Sequence, residues 1–104
     1  MEINTINEMV VSQVLLNLAK RVKQRRLELN YTQKDFAKRA GMGYDAYRRF
    51  ENTGEISLRN LVLCATILDE TPAFNELFSQ QKYRSIEEVI TQKKEIKRQR
   101  ASKK

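Results

Sequence analysis

Leu15, Leu18, Val22 and Leu29 recur at spacings of three, four and seven, while Lys20, Lys23 and Arg25 fall on other faces. That period is the stripe of an amphipathic helix, and Ser12 ahead of it reads as an N-cap, so the spacing predicts a helix over about 13–29. Asn30 and Tyr31 interrupt the pattern. Thr32 restarts it, with Asp35 three residues on in a capping-box-like relation. A short helix over about 33–40 follows, with Phe36, Ala37 and Ala40 inward and Gly41 where a left-handed cap belongs. The next helix, about 44–52, turns Tyr47 and Phe50 inward and points Arg48 and Arg49 elsewhere. Asn52-Thr53-Gly54 reads as a turn and Ser57 as a cap, leading into a fourth helix with Leu58, Leu61, Val62, Ala65 and Leu68 buried. Thr71-Pro72 opens a fifth, since proline suits the first helical position, and the apolar Phe74, Leu77 and Phe78 end the core.

The flanks differ from this body. Residues 1–11 mix Ile, Asn, Thr and Val without a clear helical period and read as a flexible or partner-binding arm ahead of a domain at 12–78. Within 79–92, a polar linker leads to Ser85 and Glu88, a possible capping box before Ile86, Val89 and Ile90. That short amphipathic helix needs cover, from the domain or from a partner. Residues 93–104 are basic, almost wholly polar, and expected to be a disordered tail.

Composition narrows the class. Three Gly, one Pro and no Trp among 104 residues, with 40% hydrophobic and 32% charged, suit one small all-α domain. No apolar run approaches the ~18 residues of a membrane span, and the N-terminus lacks a signal-peptide pattern, so a cytoplasmic protein is expected with no membrane partner. A lone cysteine, Cys64, has no internal disulfide partner and is expected to be a reduced, partly buried thiol.

Charge is unevenly placed. Ten basic and three acidic residues put +7 on 20–49, and seven basic against one acidic put +6 on 93–104, with −4 on the segment between them. Two basic blocks make nucleic acid the default partner, the alternative for the inner block being a solvated helix face. The sequence has no histidine, no glycine-rich phosphate loop and no acid or cysteine cluster at metal spacing, so neither an enzyme nor a metal or cofactor site is expected.

Two short helices joined by a glycine-containing turn suggest a helix-turn-helix. The ordered set Arg21-Val22-Lys23-Gln24-Arg25-Arg26, Thr32-Gln33-Lys34-Asp35-Phe36-Ala37, Ala40-Gly41 and Arg49-Phe50-Glu51-Asn52 resembles the Cro/CI-type (Xre) repressors over roughly 13–78. The resemblance implies an all-α, five-helix lambda-repressor-like domain, extended here by the short C-terminal helix and basic tail. It also implies that Gln33 contacts a phosphate or base edge, the alternative being a plain helix former near a cap. Gly43, Tyr44, Asp45, Arg48 and Arg49 then occupy the outward face of the recognition helix, each arginine serving either as a base reader or as a phosphate clamp. Arg26 and Glu51 match a buried structural ion pair in such repressors. Two positions depart from the pattern. Gly43 stands where the family usually has Ser or Thr, removing a hydroxyl cap, and Asp45 sets a carboxylate where phosphate would repel it unless it accepts from cytosine N4 or pairs with a neighbouring arginine.

A narrower likeness follows. Residues 50–61, Asn75-Glu76-Leu77-Phe78 and Tyr83-Arg84-Ser85-Ile86-Glu87-Glu88-Val89 before a Lys/Arg tail resemble HipB-type antitoxins. That implies a homodimer that binds double-stranded operator DNA, represses its own operon and docks a HipA-like kinase toxin; the alternative is a plain Cro/CI-type regulator without a toxin partner. The fifth helix and its neighbourhood are the expected dimer interface, while Ile3, Ile6, Val10 and Val11 of the arm would pack across the dimer or on a toxin.

Overall fold

The first helix carries two apolar stripes instead of one. The computed structural model of the protein describes residues 3–81 together with Ile90 and Lys93. Five α-helices, with no strand among the described residues, follow in order: α1 (Ile3–Glu28), α2 (Gln33–Ala40), α3 (Tyr44–Thr53), α4 (Leu58–Ile67) and α5 (Thr71–Glu76). The five-helix, all-α architecture expected from the sequence is thus present. The short helix expected at 85–91 and the tail from 93 lie, apart from Ile90 and Lys93, outside the described residues.

α1 begins ten residues before the start expected at residue 13, so Ser12 is an exposed mid-helix residue and not an N-cap. The aperiodic reading of 3–11 is corrected for a geometric reason. Ala19, Val22 and Arg26 are buried, with Leu15 and Leu18 half-buried beside them, and this stripe faces the core. Ile6, Val10 and Val14 recur four apart on a face roughly a third of a turn away, which a search for one stripe overlooks. Leu29, expected on the core stripe, lies beyond the helix end and is 44% exposed. There Asn30, at φ 60°, adopts the left-handed conformation that stops the helix, and the Tyr31 N–H returns to the Arg26 carbonyl at 3.3 Å.

Unlike Ser12, the caps read at Thr32, Gly41 and Ser57 are in place. The Thr32 hydroxyl accepts from the Asp35 N–H at 3.0 Å, and that of Ser57 from the Asn60 N–H at 3.1 Å. Gly41 closes α2 at φ 83° with its N–H on the carbonyls of Ala37 and Lys38. Two apolar expectations fail at helix ends. Leu58 is 69% exposed because no neighbour covers the first turn of α4, whose buried face starts later with Cys64 and Ala65. α5 stops at Glu76, so Leu77 and Phe78 leave its apolar face and are 55% and 94% exposed.

The core joins Ala19 and Val22 of α1 to Phe36, Ala37, Tyr47, Phe50, Cys64 and Leu68. Its aromatic part is continuous: ring centroids are 5.0 Å apart from Phe36 to Tyr47 and 6.1 Å from Tyr47 to Phe50. Cys64 is wholly buried rather than partly so, and burial pushes its thiol up to about 12, away from thiolate chemistry. α2 packs on α3 and α4, and α1 crosses α3. Gly54, at φ 82°, permits that crossing: a Cβ there would stand 2.7 Å from both the carbonyl carbon and the Cβ of Leu15. Arg25 braces the other side, donating at 2.9 Å to the Glu70 carboxylate and at 2.9 Å to the Leu68 carbonyl.

Candidate nucleic-acid interface

α3 is a strongly divided helix. Tyr47 and Phe50 are fully buried, whereas Asp45, Arg48, Arg49 and Asn52 are exposed and share the opposite face, with Tyr44 half-exposed at its edge. The helix starts without a side-chain cap, because Gly43 at the N-cap has extended backbone and no hydroxyl to offer. α2 lies directly before it across a turn closed by Gly41, so the first turns of the two helices meet.

What they bring together is a cationic cluster on an aromatic ring. Lys34 Nζ lies 5.6 Å from the Tyr44 ring centroid and the Arg48 guanidinium 5.4 Å from the same centroid. Asp45 pairs with Arg48 at 3.4 Å, one turn along α3. Of the two roles open to this carboxylate, pairing with a neighbouring arginine is the one in place. Arg49 points to the far edge of the face, where it pairs with Glu55 while both remain exposed. Thr53 supports that edge, its hydroxyl donating to the Arg49 carbonyl at 2.7 Å and accepting from the Glu55 N–H at 3.1 Å.

Behind the face sits the network that fixes the angle of α3. Arg26 donates through Nε and Nη2 to Glu51 at 2.8 and 3.1 Å, with side-chain exposures of 7% and 3%. Its Nη1 donates to the Tyr31 carbonyl at 2.7 Å. Gln33 donates to Glu51 at 2.9 Å, and the Tyr47 hydroxyl donates to the same carboxylate. Burial alone would raise the Glu51 carboxyl, but the donors Arg26, Tyr47 and Gln33 outweigh it and hold the group below the usual carboxylate range. Arg26 is raised in turn, chiefly by its hydrogen bonds to Glu51. Burial, then donation to Glu51, raises the Tyr47 phenol. No buried side-chain nitrogen or oxygen among the described residues lacks a partner.

The structure thus divides the residues singled out from the sequence. Gly43, Tyr44, Asp45, Arg48 and Arg49 lie along one exposed helix, while Gln33 is half-buried and joined to Arg26 and Glu51 in the network behind it. Lys34, Asn52 and Glu55 were missed. Lys34 stands beside Gln33 in the chain, yet its approach to Tyr44 depends on how the Gly41 turn folds back, which no linear spacing reveals. Asn52 was legible as one more α3 residue at helical distance from Arg48 and Arg49.

Among the described residues no group of acids, cysteines or histidines is placed to hold a metal, and no helix is long and apolar enough to cross a membrane. Residues 22–75, about half of the chain, match the helix-turn-helix family. Neither the curated proteins nor the solved structures give a match.

Proposed function

The chain belongs to the Cro/CI-type (Xre) helix-turn-helix family of DNA-binding transcriptional regulators, and within it we propose a sequence-specific repressor that binds operator DNA as a homodimer and controls its own operon. The observation that carries this reading is the exposed face of α3, where Tyr44 and Arg48, joined by Lys34 of α2, form a cationic cluster over a packed core. In this reading the N-terminal end of α3 enters the major groove. Arg48, steered by Asp45, reads a base edge together with Tyr44, and Arg49 and Lys34 hold phosphates. Gln33 acts indirectly, through Glu51, on the angle of the reading helix. Two copies are needed because one such module buries too little DNA surface for a long operator, whereas two reading heads on adjacent turns double the contacts.

The finer assignment is to the antitoxins of HipA-like kinase toxins, acting in the cytoplasm. Its support is the likeness of residues 50–61 and 75–78, the remaining part at 83–89 lying outside the described residues. The family match covers residues 22–75, the helix-turn-helix itself, and bears equally on the second reading, a plain regulator without a toxin partner. Copurification with the product of a neighbouring kinase gene separates the two. The repressor itself is tested by footprinting the region upstream of its own gene. Two protected half-sites centred about one helical turn apart support it, and an unprotected region contradicts it.

A further inference from the structure

The outer part of α1 stands apart from the domain. Leu15 is the residue that meets Gly54, so about three turns from Ile3 to Val14 run ahead of that contact. Along them Ile6, Met9, Val10, Val11 and Val14 are between 44% and 57% exposed. These turns are built from poor helix formers. Of residues 3–12 only Glu8 and Met9 favour a helix strongly, the rest being Ile, Val, Thr, Asn and Ser, and the first turn has no acidic residue. Helical turns of this composition draw their stability from burial of an apolar face. Resting on the dimeric reading above, we propose that this face pairs antiparallel with the same face of a second copy, about a two-fold axis at Val10.

Three observations select a second copy over another partner. Between Ile3 and Ala19 the only charged residue is Glu8, which lies about 160° around the helix from Val10, so Ile6, Val10, Gln13, Val14 and Asn17 form a seam without charge. An isologous contact brings identical groups together at its axis, and only an uncharged seam does so without repulsion. The seam also offers nothing to phosphate or to a charged protein. Second, an axis at Val10 sets Ile6 of one copy opposite Val14 of the other, so β-branched residues meet over the central turns while Gln13 falls opposite Asn7, and the helix dipoles oppose favourably. Third, with the axis there, the two Val22 positions, in the middle of the part of α1 that carries the domain, fall roughly 36 Å apart along the shared helix direction. That separation of the two domains is comparable with the ~34–36 Å between half-sites one turn apart on DNA.

Sedimentation equilibrium of the full chain tests the pairing with Val10→Glu and Val10→Lys, both at an exposed position and both checked by circular dichroism for a cooperatively melting helical domain. The wild type is expected to be a dimer, each variant alone to self-associate at least about tenfold more weakly, and an equimolar mixture of the two variants to recover the dimer as opposite charges meet at the axis. Dimers that persist in Val10→Glu and Val10→Lys would overturn the pairing while leaving the dimeric reading intact, the contact then lying elsewhere, for instance at Leu77 and Phe78. Variants that weaken but do not recover on mixing would also overturn it, since the seam then meets something other than itself. A wild type that is monomeric throughout would overturn both.

Discussion

Arg26 of α1 holds Glu51 of α3 by two hydrogen bonds, 2.8 and 3.1 Å long, with both side chains almost wholly buried. The angle of the exposed α3 face is therefore fixed from the helix behind it. Glu51→Gln keeps the shape and removes the charge, leaving Arg26 buried without its counter-ion. It is expected to lose about 3–5 kcal/mol of unfolding free energy in urea melts. A loss below about 1 kcal/mol would show that the pair is not the brace described above.

The same carboxylate predicts an acid limb. The Glu51 carboxyl is held below its ordinary value by Arg26, Tyr47 and Gln33 against the opposing effect of burial, so its contribution is full above the unfolded carboxyl range near ~4.3 and is lost as pH falls through the lower folded value. Tyr47 and Cys64 act in the opposite sense. Burial raises both, Cys64 from 9.0 to about 12, so their contribution is full below about 9 and declines as pH rises above it. Melts from pH 3 to 11 should give a plateau between roughly pH 5 and 9 with falling limbs on both sides, the acid limb shallower in Glu51→Gln. An acid limb of equal steepness in that variant would remove Glu51 as its source.

Gly41 and Gly54 share a positive φ but not their surroundings. Nothing lies within 4 Å of a Cβ at Gly41, whereas one at Gly54 would collide with the Leu15 backbone at 2.7 Å. Gly41→Ala is expected to cost only the left-handed backbone, about 1–2 kcal/mol, and Gly54→Ala distinctly more because α1 must also shift. Equal losses in thermal melts would mean that the approach of α1 relaxes freely.

Gly43 is an N-cap with room and a permissive backbone, φ −67° and ψ 145°, and nothing within 4 Å of a Cβ. Gly43→Ser should restore the hydroxyl cap and raise stability by a few tenths to about 1 kcal/mol. A destabilised variant would show that the turn needs glycine for a reason outside its own dihedrals.

Much of this protein was legible in its sequence where a local rule suffices. Thr32, Ser57 and Gly41 cap helices because capping depends on neighbours three or four residues away, and the buried positions of α2 and α3 follow one period. Interactions across the fold were not legible in the same way. Arg26 and Glu51 were paired by family likeness, but that Gln33 and Tyr47 converge on the same carboxylate, or that Arg49 turns to Glu55, depends on how helices cross. The early helix in residues 3–11 escaped because Ile6 and Val10 face away from the core stripe, while Val11, in line with it, is exposed ahead of the domain. Leu58, Leu77 and Phe78 were misplaced for a related reason: periodicity gives a face, while burial needs a neighbour to cover it.

The exposed face of α3 is proposed to read DNA sequence. Fluorescence anisotropy on a duplex from the chain's own upstream region and on a scrambled duplex, at two salt concentrations, tests it with wild type and Arg48→Ala. The wild type is expected to bind the upstream duplex more tightly, and Arg48→Ala to lose about 1–3 kcal/mol, mainly on that duplex. Equal affinity of the wild type for both duplexes, vanishing at the higher salt, would contradict it and leave only an electrostatic surface.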